Sequence, residues 1–200
     1  MARLSRVESQ ELTRERLVAT ARTLFLRKGY AATSLSDVAE TAGYSKGAVY
    51  SNFRNKDRLC LAVLDDIRAE QLALLTESVM GEGAVESRLA AFTAWGEAHI
   101  GDEAWTTFEV EFLTRARHDD ELREEMTARA EMIREVLAGL LEALAEEAGV
   151  RLAVPADRAA TMLLSLGIGL GVQRVADPSV PTAVLTDTLR LVLGLDSGRS

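Results

Sequence analysis

The stretch from Thr33 to Arg58, TSLSDVAETAGYSKGAVYSNFRNKDR, constrains the chain most. Ser34 followed by Asp37 is a capping box, in which hydroxyl and carboxylate each satisfy a free backbone N–H. Leu35, Val38 and Ala39 then give a short helix one apolar face. Gly43 ends that helix, since the residue after a helix commonly needs a positive φ that glycine adopts without a Cβ clash. Ser45 caps a second short helix after only a Gly-Tyr link, and Asn55 caps a third that begins at Lys56. Two capped helices of about two turns joined by a tight glycine-containing turn form a helix-turn-helix.

The second helix has the surface of a reading helix. Val49 and Phe53 are its core anchors; Lys46, Gly47, Ala48, Tyr50, Ser51 and Asn52 are small, polar or basic. Short side chains near the N-terminus let a backbone enter the major groove. Ser45, Lys46 and Tyr50 supply donors for phosphate oxygens. A helical hairpin with a merely solvated face would show the same helix pattern with no DNA partner.

Residues 13–64 resemble the N-terminal domain of the TetR/AcrR family of bacterial transcriptional regulators. The resemblance rests on Phe25, Gly29-Tyr30, Thr33, Asp37-Val38-Ala39, the run Ala42 to Gly47, Val49-Tyr50, Phe53 and Lys56. The remaining two thirds match only in length and helix pattern. The candidate DNA-contacting residues are Thr33, Ser34, Tyr44, Ser45, Lys46, Gly47, Ala48, Tyr50, Ser51, Asn52 and Lys56. The resemblance implies a double-stranded operator as partner, and a helix beginning at Lys56 that links the head to a regulatory body.

Charge partition fits that division. Residues 1–58 carry 11 Lys/Arg against 6 Asp/Glu, a net +5, whereas residues 59–200 carry 12 against 25, a net −13. An acidic total of −8 would argue against a polyanion partner, but a basic head on an acidic body lets one end approach phosphate. The expected domains are therefore 1–58, which binds DNA, and 59–200, a helical regulatory and dimerisation domain. With 48% apolar residues, 5% aromatics and three prolines, and without alternating Val/Ile/Thr runs, the expected fold class is all-α. The single Cys60 fits a reducing cytoplasm, and the polar opening lacks the apolar core of a signal peptide.

In chain order, a first helix is expected from Arg14 to Lys28, capped by Thr13, after a polar and mobile segment 1–12 whose Arg3 and Arg6 could reach a minor groove. The linking helix runs from Lys56 to about Met80. Two more run over about Val85–His99 and Glu103–Ala116, separated by the break-and-cap pair Gly101-Asp102. Phe92, Trp95 and His99 lie on one stripe of the former, and Trp105, Phe108, Glu109 and Phe112 on one face of the latter. These seven are either aromatic core or the lining of an effector cavity, since ligand pockets are apolar with a few placed polar groups. His99 reads as a hydrogen-bonded core residue or a polar anchor. Glu109 sits at the stripe edge, pairs with an arginine, or meets a cationic ligand. Glu111 is expected to pair with Arg115 on the outer face.

A long helix follows from Asp120 to about Ala148, then one from Pro155 to about Val175 and a last from Pro181 to about Gly194. The apolar run Ala159–Val172, about 14 residues, is too short to span a bilayer, and its glycines are not a dinucleotide loop, because no strand precedes them. The resemblance implies that these last two helices form a homodimer interface, with Leu163, Leu166, Gly167, Leu170, Gly171, Leu185, Leu189 and Val192 as candidate contacts. No metal site, cofactor or catalytic constellation is expected. The sequence thus points to a cytoplasmic, homodimeric, non-enzymatic transcriptional regulator, most simply a repressor released from a near-palindromic operator by a small apolar or aromatic effector, with no membrane partner. A DNA-binding protein with a filled body, or an activator, would use the same parts.

Overall fold

The computed structural model describes residues 5–195, all of whose regular elements are α-helices. Nine run through them: α1 Arg6–Lys28, α2 Leu35–Ala42, α3 Lys46–Asn52, α4 Lys56–Met80, α5 Val85–His99, α6 Glu103–Ala116, α7 Asp120–Glu147, α8 Ala156–Ala176 and α9 Ala183–Val192. The caps read from the sequence are present. Ser34 and Asp37 exchange their reciprocal bonds, Gly43 is left-handed with φ 73°, and Asn55 accepts from the Arg58 N–H at 2.8 Å.

The start of α1 differs. Ser5, not Thr13, caps it: Ser5 Oγ accepts from the Glu8 N–H and the Glu8 carboxylate accepts from the Ser5 N–H at 2.7 Å. The capping box eight residues upstream wins, and Thr13 instead donates to the Ser9 carbonyl inside the helix. Arg3 and the side chain of Arg6 lie outside the described residues.

Two compact units partition the chain, Met1–Glu70 with Thr107–His118, and Gln71–Thr106 with Asp119–Ser200. The division therefore falls later than residue 58, and a segment of α6 joins the head, because α4 and α6 each continue from one unit into the other. In the first unit α1 packs on α2 and α3 around Leu17, Leu24, Phe25, Val38, Val49 and Phe53, all at most 2% exposed. Phe108 and Phe112 of α6 complete this core: Phe108 stacks on Phe25 at 5.3 Å, and Phe112 meets Tyr30 edge-on at 5.4 Å.

In the second unit α7 packs along α8, and α9 lies against α5 and α8. Its core contains Leu75, Leu89, Phe92, Leu141, Leu144, Leu170, Leu185, Leu189 and Val192. Gly171 lets the turn between α5 and α6 approach α8, since a Cβ there would meet Thr106 Oγ1 at 3.6 Å and the Gly101 N at 3.8 Å. Arg174 ties that turn to the α8–α9 link, donating to the carbonyls of Ile100 (2.8 Å) and Val180 (2.6 Å).

Candidate functional site

The candidate DNA-facing surface is built on α3 and the helix starts beside it. Ser45 Oγ accepts from the Ala48 N–H at 3.2 Å, fixing the entry of α3. Val49 is fully buried and anchors the helix, leaving Ser45, Lys46, Gly47, Tyr50 and Ser51 exposed and Tyr44, Ala48 and Asn52 half-buried. Ser51 Oγ and Asn52 Nδ2 both donate to the Ala48 carbonyl, which holds their side chains along the helix. Beside α3 lies an open groove of roughly 400 Å³ lined by residues 31–36, Tyr50, Arg54, Asn55 and Lys56. Lys56 sits partly within it, donating to the Ala31 carbonyl at 3.3 Å with its ammonium 4.1 Å from the Tyr30 ring centre. Burial pulls that ammonium below its usual value.

One expected DNA contact is withdrawn. Thr33 is 1% exposed, and its hydroxyl donates to the Gly29 carbonyl at 3.0 Å, closing the turn between α1 and α2. It is a structural residue of that turn. Arg54 and Ser36, absent from the sequence-derived set, also line the groove. Arg54 precedes a helix cap, a position where a basic side chain is compatible with the pattern but not singled out by it.

Behind this surface is a polar cluster that sequence spacing does not reveal. Glu111 accepts from the Tyr30 N–H at 2.7 Å and the Ala31 N–H at 2.8 Å, one bond to each oxygen. Asp57 accepts from the Tyr30 hydroxyl and from Arg115 at 3.1 Å. The expected pair of Glu111 with Arg115 is thus replaced by two contacts distant in sequence. Burial and the adjacent Asp57 carboxylate push the Tyr30 phenol above its ordinary range.

The seven aromatic and polar candidates for effector binding fall in two groups. Phe108, Glu109 and Phe112 belong to the first unit, where both phenylalanines are core and Glu109 pairs with Arg68 at 2.7 Å. Paired with a guanidinium, Glu109 gives no ground for a cationic ligand. Phe92, Trp95, His99 and Trp105 belong to the second unit. Phe92 stacks on Trp95 at 5.9 Å, and Trp95 on His99 at 5.6 Å. His99 Nδ1 lies 2.8 Å from the Trp95 carbonyl; a carbonyl only accepts, so Nδ1 donates this bond. The Trp95 indole Nε1–H is buried without an acceptor. Trp105 opens α6, its N–H donated to the Asp102 carboxylate at 2.7 Å.

The dimer candidates also separate. Leu170, Gly171, Leu185, Leu189 and Val192 lie in the chain's own core and are not free to meet a second copy, while Leu163, Leu166 and Gly167 are half-buried. The exposed apolar face of α8 is instead Met162, Ile168, Val172 and Val175, and that of α9 is Val184 and Leu191. A helix apolar nearly all round does not disclose which side meets its own core. By length and composition α8 could also cross a membrane; 22% of its most apolar window is buried, and the helix exceeds the 14-residue run used in the sequence estimate.

A capped helix-turn-helix with an exposed polar reading face, joined to a separate helical body, defines a DNA-binding regulator of the helix-turn-helix class. The chain belongs to the tetR family of bacterial regulatory proteins: residues 17–63 match that family's model, and residues 84–193 match the C-terminal domain of BetI-type transcriptional repressors. It is 40% identical over 80 residues to the HTH-type transcriptional regulator TtgR of Pseudomonas putida, covering 39% of this chain and 38% of TtgR. It is 37% identical over 81 residues to the transcriptional repressor NemR of Escherichia coli, covering 40% of this chain and 41% of NemR. These alignments span only about two fifths of each relative. The fold of reduced E. coli NemR overlays 90% of this chain and 96% of that one, with a TM-score of 0.71 at 24% identity. The chain thus belongs to a family of bacterial transcriptional regulators.

Proposed function

We propose that this chain is a cytoplasmic, homodimeric repressor that binds a near-palindromic operator through α3 and is released by a small molecule held in the second unit. The observation that carries the DNA reading is the α3 face from Ser45 to Ser51, exposed above a buried Val49 and beside the groove of Arg54 and Lys56. The homodimer reading rests on the apolar faces of α8 and α9, large side chains that a second copy would cover. Arg174 near the end of α8 supports protein packing rather than a bilayer span, because its guanidinium is spent on two carbonyls of its own unit.

The effector reading rests on the Phe92–Trp95–His99 stack. A buried indole N–H without an acceptor costs about 1–3 kcal/mol, recovered when a ligand atom accepts from it. The effector is accordingly planar and apolar with at least one hydrogen-bond acceptor. Selection of bound fragments from a randomised DNA pool tests the first part, and operator release on adding aromatic acceptors, with quenching of tryptophan emission, tests the second. Recovery of no enriched inverted repeat would end the operator reading. Release that persists unchanged in Trp95→Phe would end the effector reading.

A further inference from the structure

The segment from Gly29 to Thr33 joins α1 to α2, and its residues Ala31, Ala32 and Thr33 form one wall of the groove beside the reading helix. It has no regular structure, so its backbone groups need outside partners. The Thr33 hydroxyl and the Lys56 ammonium satisfy the carbonyls of Gly29 and Ala31. The two consecutive N–H groups of Tyr30 and Ala31 go to the two oxygens of Glu111, a carboxylate brought in by α6 from far along the chain. Gly29 is shaped for this approach: its φ is +83°, and a Cβ there would stand 3.0 Å from Glu111 Oε2.

We propose that Glu111 is a positioning residue for operator binding: its bidentate hold on the Tyr30 and Ala31 amides sets the groove wall that takes a DNA phosphate. The proposal rests on the operator reading above. Two aligned N–H bonds to one charged acceptor fix both position and rotation of the turn, which a single bond would not. The same turn presents Ser34 and Ser36 and holds Lys56 through the Ala31 carbonyl, so its displacement moves several groove donors together. Glu111 itself is an acceptor and contacts no phosphate. Because α6 also belongs in part to the second unit, the groove wall is tied to a helix shared with the effector-binding body.

Charge and position predict opposite signs for Glu111→Gln. Removing a negative charge from a polyanion-binding head tightens DNA binding if long-range electrostatics is all that matters. Losing one of two positioning bonds weakens it. Glu111→Asp keeps the charge but shortens the side chain below the reach of both amides. The probe is the DNA fragment selected by the wild-type protein, with dissociation constants measured at several salt concentrations for the full-length dimer. Both variants are expected to fold, to lose operator affinity by about tenfold, to keep the wild-type salt slope, and to show faster amide hydrogen exchange over residues 29–33. Unchanged or tighter binding in Glu111→Gln, together with unchanged binding in Glu111→Asp, overturns the proposal, as does loss of the fold in both. Failure of the wild-type protein to select DNA overturns the operator reading itself, so the two failures are distinct.

Discussion

Replacing Glu109 with glutamine tests whether the aromatic stripe of α6 serves the head or an effector. Its carboxylate is 2.7 Å from Arg68 Nη2, with side chains 24% and 15% exposed, and the other Arg68 terminal nitrogen is already buried without a partner. Breaking a fully buried pair by removing one member costs about 3–5 kcal/mol, whereas exposed pairs contribute about 0–1 kcal/mol. Partial exposure places this one between, at about 2 kcal/mol. For a first unit of this size, unfolding on its own, that lowers its melting temperature by roughly 8–16 °C. The chain reports its two units separately, because Tyr30, Tyr44 and Tyr50 lie in the first and Trp95 and Trp105 in the second. Tyrosine-detected unfolding should shift while effector affinity, read by tryptophan emission, stays constant. The double replacement Arg68→Met with Glu109→Leu should cost less than the sum of the single changes, since no charge is left unpaired. A tyrosine transition shifted by less than about 1 °C, with altered effector affinity, would refute the assignment of Glu109 to the head.

Three further outcomes follow from the geometry. Lys46→Ala and Arg54→Ala should each weaken binding to all DNA sequences alike and lower the log–log salt slope by about 1, checked by titration across salt concentrations. Ile168→Arg or Val172→Arg should split the proposed dimer in sedimentation with little effect on folding, whereas Leu189→Arg should unfold the second unit, because Leu189 is buried in the chain's own core. Burial, aided by the neighbouring Asp57, pushes the Cys60 thiol well above its usual range. A raised acid favours the native state below its unfolded value, so Cys60 should contribute a loss of stability as pH rises above about 8.5. Denaturation series should show that slope reduced in Cys60→Ala, and thiol reagents should reach Cys60 only on unfolding.

Local chemistry was readable and long-range placement was not. Ser34, Asp37, Gly43, Ser45 and Asn55 act within four residues of themselves, and each caps or ends the helix expected of it. The bounds of α4, α5 and α6 likewise follow from periodicity and from Gly101-Asp102. Periodicity says that a face is buried, without naming what buries it. Phe108 and Phe112 share a stripe with Trp105 yet pack on Phe25 and Tyr30, residues on α1 and on the turn that follows it. Thr33 fails as a DNA contact for the same reason: a hydroxyl in a capping region looks solvent-facing until the turn closes over it. Glu111 had a plausible partner four residues away, and local pairing is the only kind that spacing reveals.

The units also revise the electrostatic argument. With residues 59–70 and Thr107–His118 included, the first unit carries 14 Lys/Arg against 11 Asp/Glu, and the acids of 59–70 lower its surplus to +3. A smaller surplus does not weaken the proposed DNA-binding face, because several of the unit's acids already hold partners within it. Asp57 holds Arg115 and Tyr30, Asp66 and Glu70 hold Arg22, Glu109 holds Arg68, and Glu111 holds two backbone amides. Asp37 is committed to the cap at Ser34, whose N–H and hydroxyl hold its carboxyl below the usual range. Lys46 and Arg54 meanwhile stand exposed beside the reading helix. Where charges point decides the potential a polyanion meets within a Debye length of about 8–10 Å. The basic face therefore comes from pairing carboxylates with arginines and with a turn, more than from an excess of cations.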